Sequence, residues 1–318
     1  MNKGKAFEIF VRQILINVGF SEIESDGLYV FNGTAGQMLQ GLGDAHNADV
    51  LLEPPVQTPF YSLTRLLIEC KYYKNNVGLN IIRSALGLRE DVNNFDIVDL
   101  DELNYRRRLN RNGLAHSHTR YLYQVAVASM KGFTVPAQNF AATHRIPIIQ
   151  FDNMPFWNDF CELINFSYRQ NCYDANGTQN NSLITRINEE DVIDFANIIG
   201  SKMAVAITNS GQMLFLYRIN GSENKFSDYY SLHWNNTTEP WQLVSGDNIY
   251  VFQLPEAIMN EWLTNSVNEI QLKKAAINCK ANVFNNMVVY YKEHCMPKIK
   301  MISINQYELE LAKTNLNG

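Results

Sequence analysis

A glutamate and a lysine lie two residues apart in the apolar run RLLIECKYY, at Glu69 and Lys71. If this run is a β-strand, both side chains point to one face of the sheet, while Ile68, Cys70 and Tyr72 point to the other. Opposite charges on one face form either an ion pair, worth about 0 to 1 kcal/mol at a surface, or part of a functional site. The residues that accompany the pair decide between these interpretations.

Two further acidic residues precede this pair in the chain. Asp49 belongs to the apolar run ADVLL, a predicted strand that ends before Pro54 and Pro55, and Glu8 lies on a predicted amphipathic first helix. Adjacent strands that each present a carboxylate can bind Mg²⁺, which takes one or two carboxylates together with water and phosphate oxygens. Asp49 and Glu69 are therefore the predicted ligands of Mg²⁺, for which we expect Mn²⁺ to substitute.

Lys71 and Glu8 have expected roles beside such a metal. An amine next to the ion can hold the attacking water and help to deprotonate it, while the metal polarises the scissile phosphate. Glu8 would support the site directly or through a metal-bound water. Asp44 offers a rival carboxylate in the loop before Asp49, but the strand pattern begins only at Ala48, so we expect Asp44 to brace the loop.

The spacing of apolar residues predicts the elements that position these side chains. Over residues 1–153 it predicts a first helix at 5–18, followed by strands and helices in the runs ADVLL, RLLIECKYY, LNIIRSALGLREDVNN, YLYQVAVASM, VPAQNFAATHR and IPIIQF. Alternating strands and helices, with near-continuous apolar strands, are typical of an α/β domain whose mixed sheet is flanked by helices. Gln124 would either face the site or be half-exposed polar filler.

Residues 154–318 predict an α+β second domain. A polar segment at 173–182 is expected to be a linker or a loop. After it come a helix in EEDVIDFANIIG, a hairpin in which an Asn-Ser-Gly turn joins MAVAIT to QMLFLYRI, and strands in YYSLHW and NIYVFQL. A long helical stretch is expected from Pro255 to about Glu293.

Composition and charge narrow the class of protein. A chain of 318 residues, with 46% hydrophobic and 19% charged residues, is long enough for two folded domains. Its formal net charge of −5 disfavours wholesale coating of nucleic acid, although a local basic patch can still bind phosphates. The five cysteines include no CxxC pair, and neither a signal peptide nor a membrane span is expected. We therefore expect a cytoplasmic protein with free thiols.

An irregular insert between Asn94 and Arg120 changes from acidic to basic along its length. The candidate contacts to DNA phosphates are the arginines of this insert and two residues nearer the predicted strands, namely Arg83, Arg106, Arg107, Arg108, Arg111 and Lys131. The insert's arginines are equally expected to pair with the acidic residues just before them. His116 and His118 form a His-x-His pair that, without a third ligand, fits polar loop histidines better than a metal site.

The order of these elements resembles the PD-(D/E)xK nuclease superfamily, and within it the Mrr-like restriction endonucleases and the Holliday junction resolvases. Over roughly residues 3–153, Glu8 matches the glutamate of the family's first helix, Asp49 its metal-binding aspartate, and Glu69 with Lys71 its acid-x-lysine strand. The segment VASMKGFTVPAQNFAATHRIPIIQFD is similar to the Mrr pattern of a Phe-Thr step and an Ala-rich helix. The chain departs from many Mrr-like members, which have glutamine in place of Glu69 and a shorter turn before Asp49.

The resemblance implies a restriction-endonuclease-like fold and a metal-dependent DNA endonuclease acting in restriction or antiviral defence. Alternatives within this class are a Holliday junction resolvase and a defence effector nuclease that an activating ligand switches on. A catalytically silent nuclease-fold protein that binds DNA or a partner belongs to a different class. A double-strand cut needs two active sites, so a homodimer or higher oligomer is expected, with the second domain serving recognition, sensing or oligomerisation. Trp234, Trp241 and Trp262 in that domain would line a ligand pocket or belong to its core.

Overall fold

The computed structural model of the protein describes residues 1–34, 36–57, 62–96, 101, 104–105, 108, 120–165, 168–173, 179–184, 187–233, 240–254 and 269–317. Several residues singled out above lie outside this part of the chain, namely Arg106, Arg107, Arg111, His116, His118, Trp234 and Trp262. No helix among the described residues is both long enough and apolar enough to cross a membrane.

The helices of the described chain are α1 (Lys3–Val18), α2 (Leu79–Asn94), α3 (Val135–His144), α4 (Trp157–Asn165), α5 (Glu189–Gly200), α6 (Glu269–Val283) and α7 (Gln306–Asn317). The strands of the N-terminal half are β1 (Ser21–Glu22), β2 (Val30–Gly33), β3 (Gly36–Gln40), β4 (Ala45–Asn47), β5 (Val50–Glu53), β6 (Leu63–Lys71), β7 (Tyr121–Ser129) and β8 (Ile148–Gln150). The C-terminal half contains β9 (Tyr168–Tyr173), β10 (Gln179–Ile184), β11 (Met203–Thr208), β12 (Met213–Asn220), β13 (Tyr229–His233), β14 (Trp241–Ser245), β15 (Asn248–Phe252), β16 (Asn286–Glu293) and β17 (Met296–Ile304).

A five-stranded mixed sheet forms the centre of the N-terminal half, in the order β1-β5-β6-β7-β8. Strand β5 is antiparallel to both of its neighbours, β1 and β6, whereas β6, β7 and β8 are parallel to one another. One face packs on α1 through alternate residues such as Ile68 and Ala126, and the other packs on α2 and α3 through Leu67 and Val125. The predicted α/β class and mixed sheet flanked by helices are confirmed.

The glycine-rich stretch before β5 forms a small antiparallel sheet, β2-β3-β4, which the sequence did not predict. The loop that joins β3 to β4 is fixed to α2, because Asp91 accepts from the Gly43 N–H (2.9 Å) and its Oδ2 lies 2.7 Å from His46 Nε2. Asp44 accepts from the N–H of Ala45 at 2.7 Å. As expected, Asp44 braces this loop.

The C-terminal half contains a closed seven-stranded barrel, β11-β12-β15-β14-β13-β17-β16, and the sequence did not predict its closure. Neighbouring strands are antiparallel except for β13 and β17. Trp241 is buried in the barrel core, where it packs near Phe252 and Phe284. Trp241 is therefore a core residue, which is one of the two roles expected for it.

Two predictions for this half are wrong. The helix expected to reach Glu293 ends at Val283, and Asn286–Glu293 forms β16 instead, because Met287, Val289 and Tyr291 alternate into the barrel interior with the period of a strand. The polar segment 173–182, expected to be a linker or a loop, belongs at its two ends to the antiparallel pair β9 and β10. Its central residues, 174–178, lie outside the described chain.

The cores of the two halves are continuous through α1. Phe10 of α1 stacks on Phe160 of α4, with ring centroids 4.3 Å apart, and on Phe195 of α5 at 5.9 Å. The same buried cluster extends into β11 and β12 of the barrel. Helices α1 and α5 cross so closely that a Cβ at Gly200 would lie 2.5 Å from Asn17 Cβ. The first helix thus packs against both the sheet and the barrel side of the molecule.

Candidate functional site

The antiparallel pairing of β5 and β6 brings Asp49 beside the end of β6. Val50 is opposite Ile68, so Asp49, one residue earlier, reaches the level of Glu69 and Cys70. The N–H of Cys70 donates to Asp49 Oδ2 at 2.8 Å, and Asn47 Nδ2 lies 3.4 Å from Oδ1. A main-chain donor on the neighbouring strand therefore fixes this carboxylate.

Glu69 and Lys71 lie on the same face at the end of β6, as the alternation of strand side chains predicts. Ile68 and Cys70 are buried on the opposite face. The Lys71 amine donates to Glu69 Oε2 at 2.7 Å and lies 3.9 Å from Asp49 Oδ2. The two carboxylates predicted to bind metal thus both lie within 4 Å of one amine.

Helix α1 brings two charged side chains to this end of the sheet. Glu8 pairs with Lys5 at 3.0 Å and is close enough to Asp49 for its charge to raise the pKa of that carboxyl. One turn later, Arg12 Nη2 donates to the main-chain oxygen of Asp49 at 2.9 Å. Sequence reasoning missed Arg12, although its spacing of four residues from Glu8 places both on one side of the helix.

The carboxyl group of Asp49 is an unusually weak acid. Its pKa is raised from 3.8 to about 6, chiefly because it is buried, and the negative charges of Glu69 and Glu8 raise it further. The Cys70 N–H and the positive charge of Lys71 oppose this rise. An ionised Asp49 is therefore short of compensating positive charge, as expected for a carboxylate that binds a cation.

Lys71 is protonated in this arrangement. Burial alone would lower its pKa, but the hydrogen bond and charge of Glu69, with the charge of Asp49, hold the pKa above its usual value. Lys71 therefore acts here as a hydrogen-bond donor and a cation, not as a base. Burial raises the pKa of the Cys70 thiol, which excludes Cys70 as a ready thiolate nucleophile.

The chemistry of the donor atoms suits a hard divalent cation. Asp49 and Glu69 supply carboxylate oxygens, and among the described residues Glu69 Oε1 has no hydrogen-bond donor. Within the same part of the chain, the trio of ligand atoms that all lie within 4.8 Å of one another belongs to Glu223, Glu293 and His294 on the barrel. Glu8, Asp49 and Glu69 form no such trio, so any ion between them would complete its coordination with water or substrate oxygens.

The other predicted residues are dispersed over the molecule. Lys131 follows β7 and forms an ion pair with Asp152 at 3.8 Å, while Arg83 lies on α2 with its guanidinium 5.8 Å from the ring centre of Phe140. Arg108 is exposed. Among the described residues, none of these three contacts Glu69 or Lys71 by a hydrogen bond or ion pair.

Gln124 does not face the candidate site. It lies opposite Leu66 in the parallel pairing of β6 and β7 and shares the α1 side of the sheet with Leu66. Glu69 and Lys71 alternate to the other side and lie near the far end of β6. Gln124 is exposed, so the expectation of polar filler fits it better than a role beside the metal.

By fold, the chain is an α/β protein in which a mixed five-stranded sheet is joined to a closed seven-stranded barrel. No protein-family model matches the chain, and no curated protein matches it. The chain is similar to a solved structure described as "Crystal Structure of Protein of Unknown Function AF1548". The similarity covers 48% of this chain and 60% of that one, at 15% identity and a TM-score of 0.30. At this TM-score the likeness adds nothing to fold or function, so the class of protein has to come from the geometry of the site.

Proposed function

We propose that the protein is a Mg²⁺-dependent DNA endonuclease of the restriction-endonuclease-like type, acting in restriction or antiviral defence in the cytoplasm. The observation that carries this proposal is the convergence of Asp49, Glu69 and Lys71 at one end of the sheet, with a 3.9 Å approach of Lys71 to a buried carboxylate whose pKa is raised to about 6. Two acids and an amine in this arrangement suit metal-assisted hydrolysis of a phosphodiester bond.

Each residue has a distinct part in this proposal. Asp49 and Glu69 would hold Mg²⁺, or Mn²⁺ in its place, and such an ion would supply polarisation of the scissile phosphate and stabilisation of the leaving oxygen. Lys71 donates a hydrogen bond to the attacking water and balances negative charge on the phosphate. Arg12 fixes the main chain at Asp49, and Glu8 orients water at the α1 side of the site.

DNA is the substrate that the surrounding charges favour. The carboxyl ends of β6 and β7 lie side by side, because Lys71 is opposite Ser129 in their parallel pairing. Lys74, which is exposed, follows β6, and Lys131, which is half-buried and paired with Asp152 at 3.8 Å, follows β7. Positive side chains beside a phosphodiester-cleaving site would position the backbone of DNA. A homodimer or higher oligomer would supply the second active site that a double-strand cut requires.

The proposal is tested by incubating purified protein with supercoiled plasmid and Mg²⁺ and following nicked and linear products. We expect cleavage by the wild type that EDTA abolishes, and a rate at least about a hundredfold lower for Lys71→Ala, the lower limit for losing one positioned donor to developing negative charge. Lys313→Ala is the matched control, because Lys313 forms an ion pair of the same 2.7 Å length with Glu310 on the surface of α7. Lys313→Ala should cut like the wild type.

Cleavage by Lys71→Ala at the wild-type rate would contradict the role of Lys71. The close ion pair between Lys71 and Glu69 favours one second candidate, a catalytically silent nuclease-fold protein in which these charges only stabilise the strand. That candidate predicts DNA or partner binding without cutting under any divalent cation. Preferential cutting of four-way junctions would favour a junction resolvase, and cutting only after a small molecule is added would favour a signal-activated effector.

A further inference from the structure

A cleft of about 420 Å³ opens between the sheet and the barrel, at the end of β6 opposite to Glu69 and Lys71. On the sheet side its walls come from the residues just after α1 and β5, the start of β6, β7 and the loop before β8. On the barrel side they come from β11, β12 and β16. The lining includes Thr64, Leu66, Gln124, Arg145, Met213 and Tyr290. This volume falls within the range of about 300 to 1,000 Å³ that small-molecule sites occupy, and such sites occur preferentially between structural units. The cleft is separate from the candidate metal site, because three residue steps along β6 from Leu66 to Glu69 span roughly 10 Å and these two side chains point to opposite faces of the sheet.

Most of the residues that line the cleft are apolar. Two polar side chains in the lining, those of Arg145 and Gln124, do not contribute contacts to the fold. Among the described residues, the guanidinium of Arg145 forms no ion pair or hydrogen bond, and neither does the side-chain amide of Gln124. Gln57 behaves differently, since its amide both donates to and accepts from the main chain of Thr64. An unpaired cation and an unpaired amide therefore border an apolar space.

Arg145 is held at the cleft by its main chain. It ends α3 in the left-handed conformation, with φ of 53°, and its N–H donates to the oxygen of Ala142. Glycine or asparagine is the usual residue for this backbone conformation. An arginine here supplies a charge at a position where a smaller residue would satisfy the backbone equally well.

We propose that this cleft binds a small organic anion with an apolar body and a single acidic group. The acidic group pairs with Arg145, Gln124 hydrogen-bonds to a polar edge of the ligand, and Leu66, Met213 and Tyr290 cover its body. This site takes a different ligand from the candidate metal site and does not depend on cleavage of DNA.

The test is a fluorescence titration of the full-length protein with anilinonaphthalene sulfonate, whose fused rings and sulfonate have the proposed chemistry. We expect one saturable site per chain, and roughly tenfold weaker binding for Arg145→Asn, the loss expected for one hydrogen-bonded charge pair. Asparagine is chosen because it tolerates the positive φ at this position. Arg145→Lys should retain part of the affinity.

Two further variants keep the test independent of folding defects. Gln124→Trp fills the cleft from an exposed strand position and should abolish saturable binding, whereas Lys225→Asn removes one exposed positive charge outside the cleft and should bind like the wild type. The thermal midpoint of each variant, measured by circular dichroism, must match that of the wild type within a few degrees.

Wild-type affinity in both Arg145→Asn and Gln124→Trp would overturn the proposal, as would a wild type without saturable binding. The probe also has an alternative location, the outer face of β17, where Ile299 and Met301 are exposed. Binding that is lost in Met301→Gln but kept in Arg145→Asn would place the probe there and overturn the proposal as well. Because the readout is fluorescence, either result leaves the proposed nuclease function to be judged by its own experiment.

Discussion

At the scale of single residues, Asp49 is the most informative group in the candidate site. Its carboxylate is mostly buried, yet the amine of Lys71 lies 3.9 Å from it and also pairs with Glu69. Ionisation of such a buried carboxyl group lowers the stability of the folded protein unless a bound cation compensates its charge. This cost leads to a prediction that needs no enzymatic assay.

Asp49→Asn should stabilise the metal-free protein at neutral pH but not in acid. The folded state holds the Asp49 proton more tightly than the unfolded state does, since the pKa is about 6 in the fold against 3.8 ordinarily. Stability is therefore lost as pH rises from about 4 through about 6. Urea unfolding in EDTA should show a variant more stable by roughly 3 kcal/mol at pH 7, converging with the wild type near pH 4.

The matched control for this experiment is Asp247→Asn, in the exposed turn between β14 and β15. Its free energy of unfolding should stay within about 0.5 kcal/mol of the wild type at every pH. A pH-independent difference between Asp49→Asn and the wild type would show that burial does not raise the pKa of Asp49.

The sequence predicted part of the candidate site and missed the rest for a physical reason. Asp49, Glu69 and Lys71 could be placed together because strand alternation and the pairing of neighbouring strands follow from local pattern. The contacts that fix Asp49 come from the Cys70 N–H and from Arg12 to a main-chain oxygen. A hydrogen bond to the main chain places little demand on residue type, so it leaves almost no signal in one sequence.

At the scale of elements, α1 supports the site through its packing. Phe10 is fully buried between α4 and α5, and its ring stacks on Phe160. The other side of the helix lies on the sheet, close to the ends of β5 and β6. The position of Glu8 and Arg12 relative to Asp49 therefore depends on how firmly this helix is held.

Phe10→Ala should lower the free energy of unfolding by about 3 to 5 kcal/mol, because it leaves a cavity in a continuous core. Urea denaturation monitored by circular dichroism measures the loss. Ile198→Ala on α5 is the control, since Ile198 is 62% exposed and its truncation should change stability by less than about 0.5 kcal/mol. Equal stability of the two variants would contradict the packing of α1.

Elements with a strong local period were predicted well. Helix α2, Leu79–Asn94, coincides with its predicted run because Ile82, Ala85 and Leu88 recur at helical spacing on one buried face. Strand β16 was mistaken for helix because no glycine or proline interrupts the chain between Glu269 and Glu293. The alternation of apolar residues along this segment was the pattern that indicates a strand instead of a helix.

At the scale of the whole molecule, closure of the barrel could not be predicted from local pattern. It depends on pairing β13 with β17 in parallel and β11 with β16, strands that lie far apart in the sequence. Nor did composition reveal that α1 joins the two halves through one buried cluster. The domain boundary predicted at residue 153 therefore lies just before α4. That helix completes the core that packs against α1.

A fragment of residues 1–153 should fail to fold as a stable unit. It lacks Phe160 and Phe195, which cover Phe10, and so exposes a large apolar face of α1. We expect no cooperative thermal transition by near-ultraviolet circular dichroism and rapid proteolysis, in contrast to the full chain. A fragment that melts cooperatively and resists protease would show that the first 153 residues are an independent domain.

The central claim is that Asp49 and Glu69 together hold a divalent cation, and it is tested most directly by locating Mn²⁺ in crystals of the full chain through its anomalous scattering. The claim predicts an ion within about 2.0 to 2.6 Å of a carboxylate oxygen from each residue. Crystals of Asp49→Asn grown in the same solution should lose that ion. Mn²⁺ bound only at Glu223, Glu293 and His294 on the barrel, with none at Asp49, would contradict the claim.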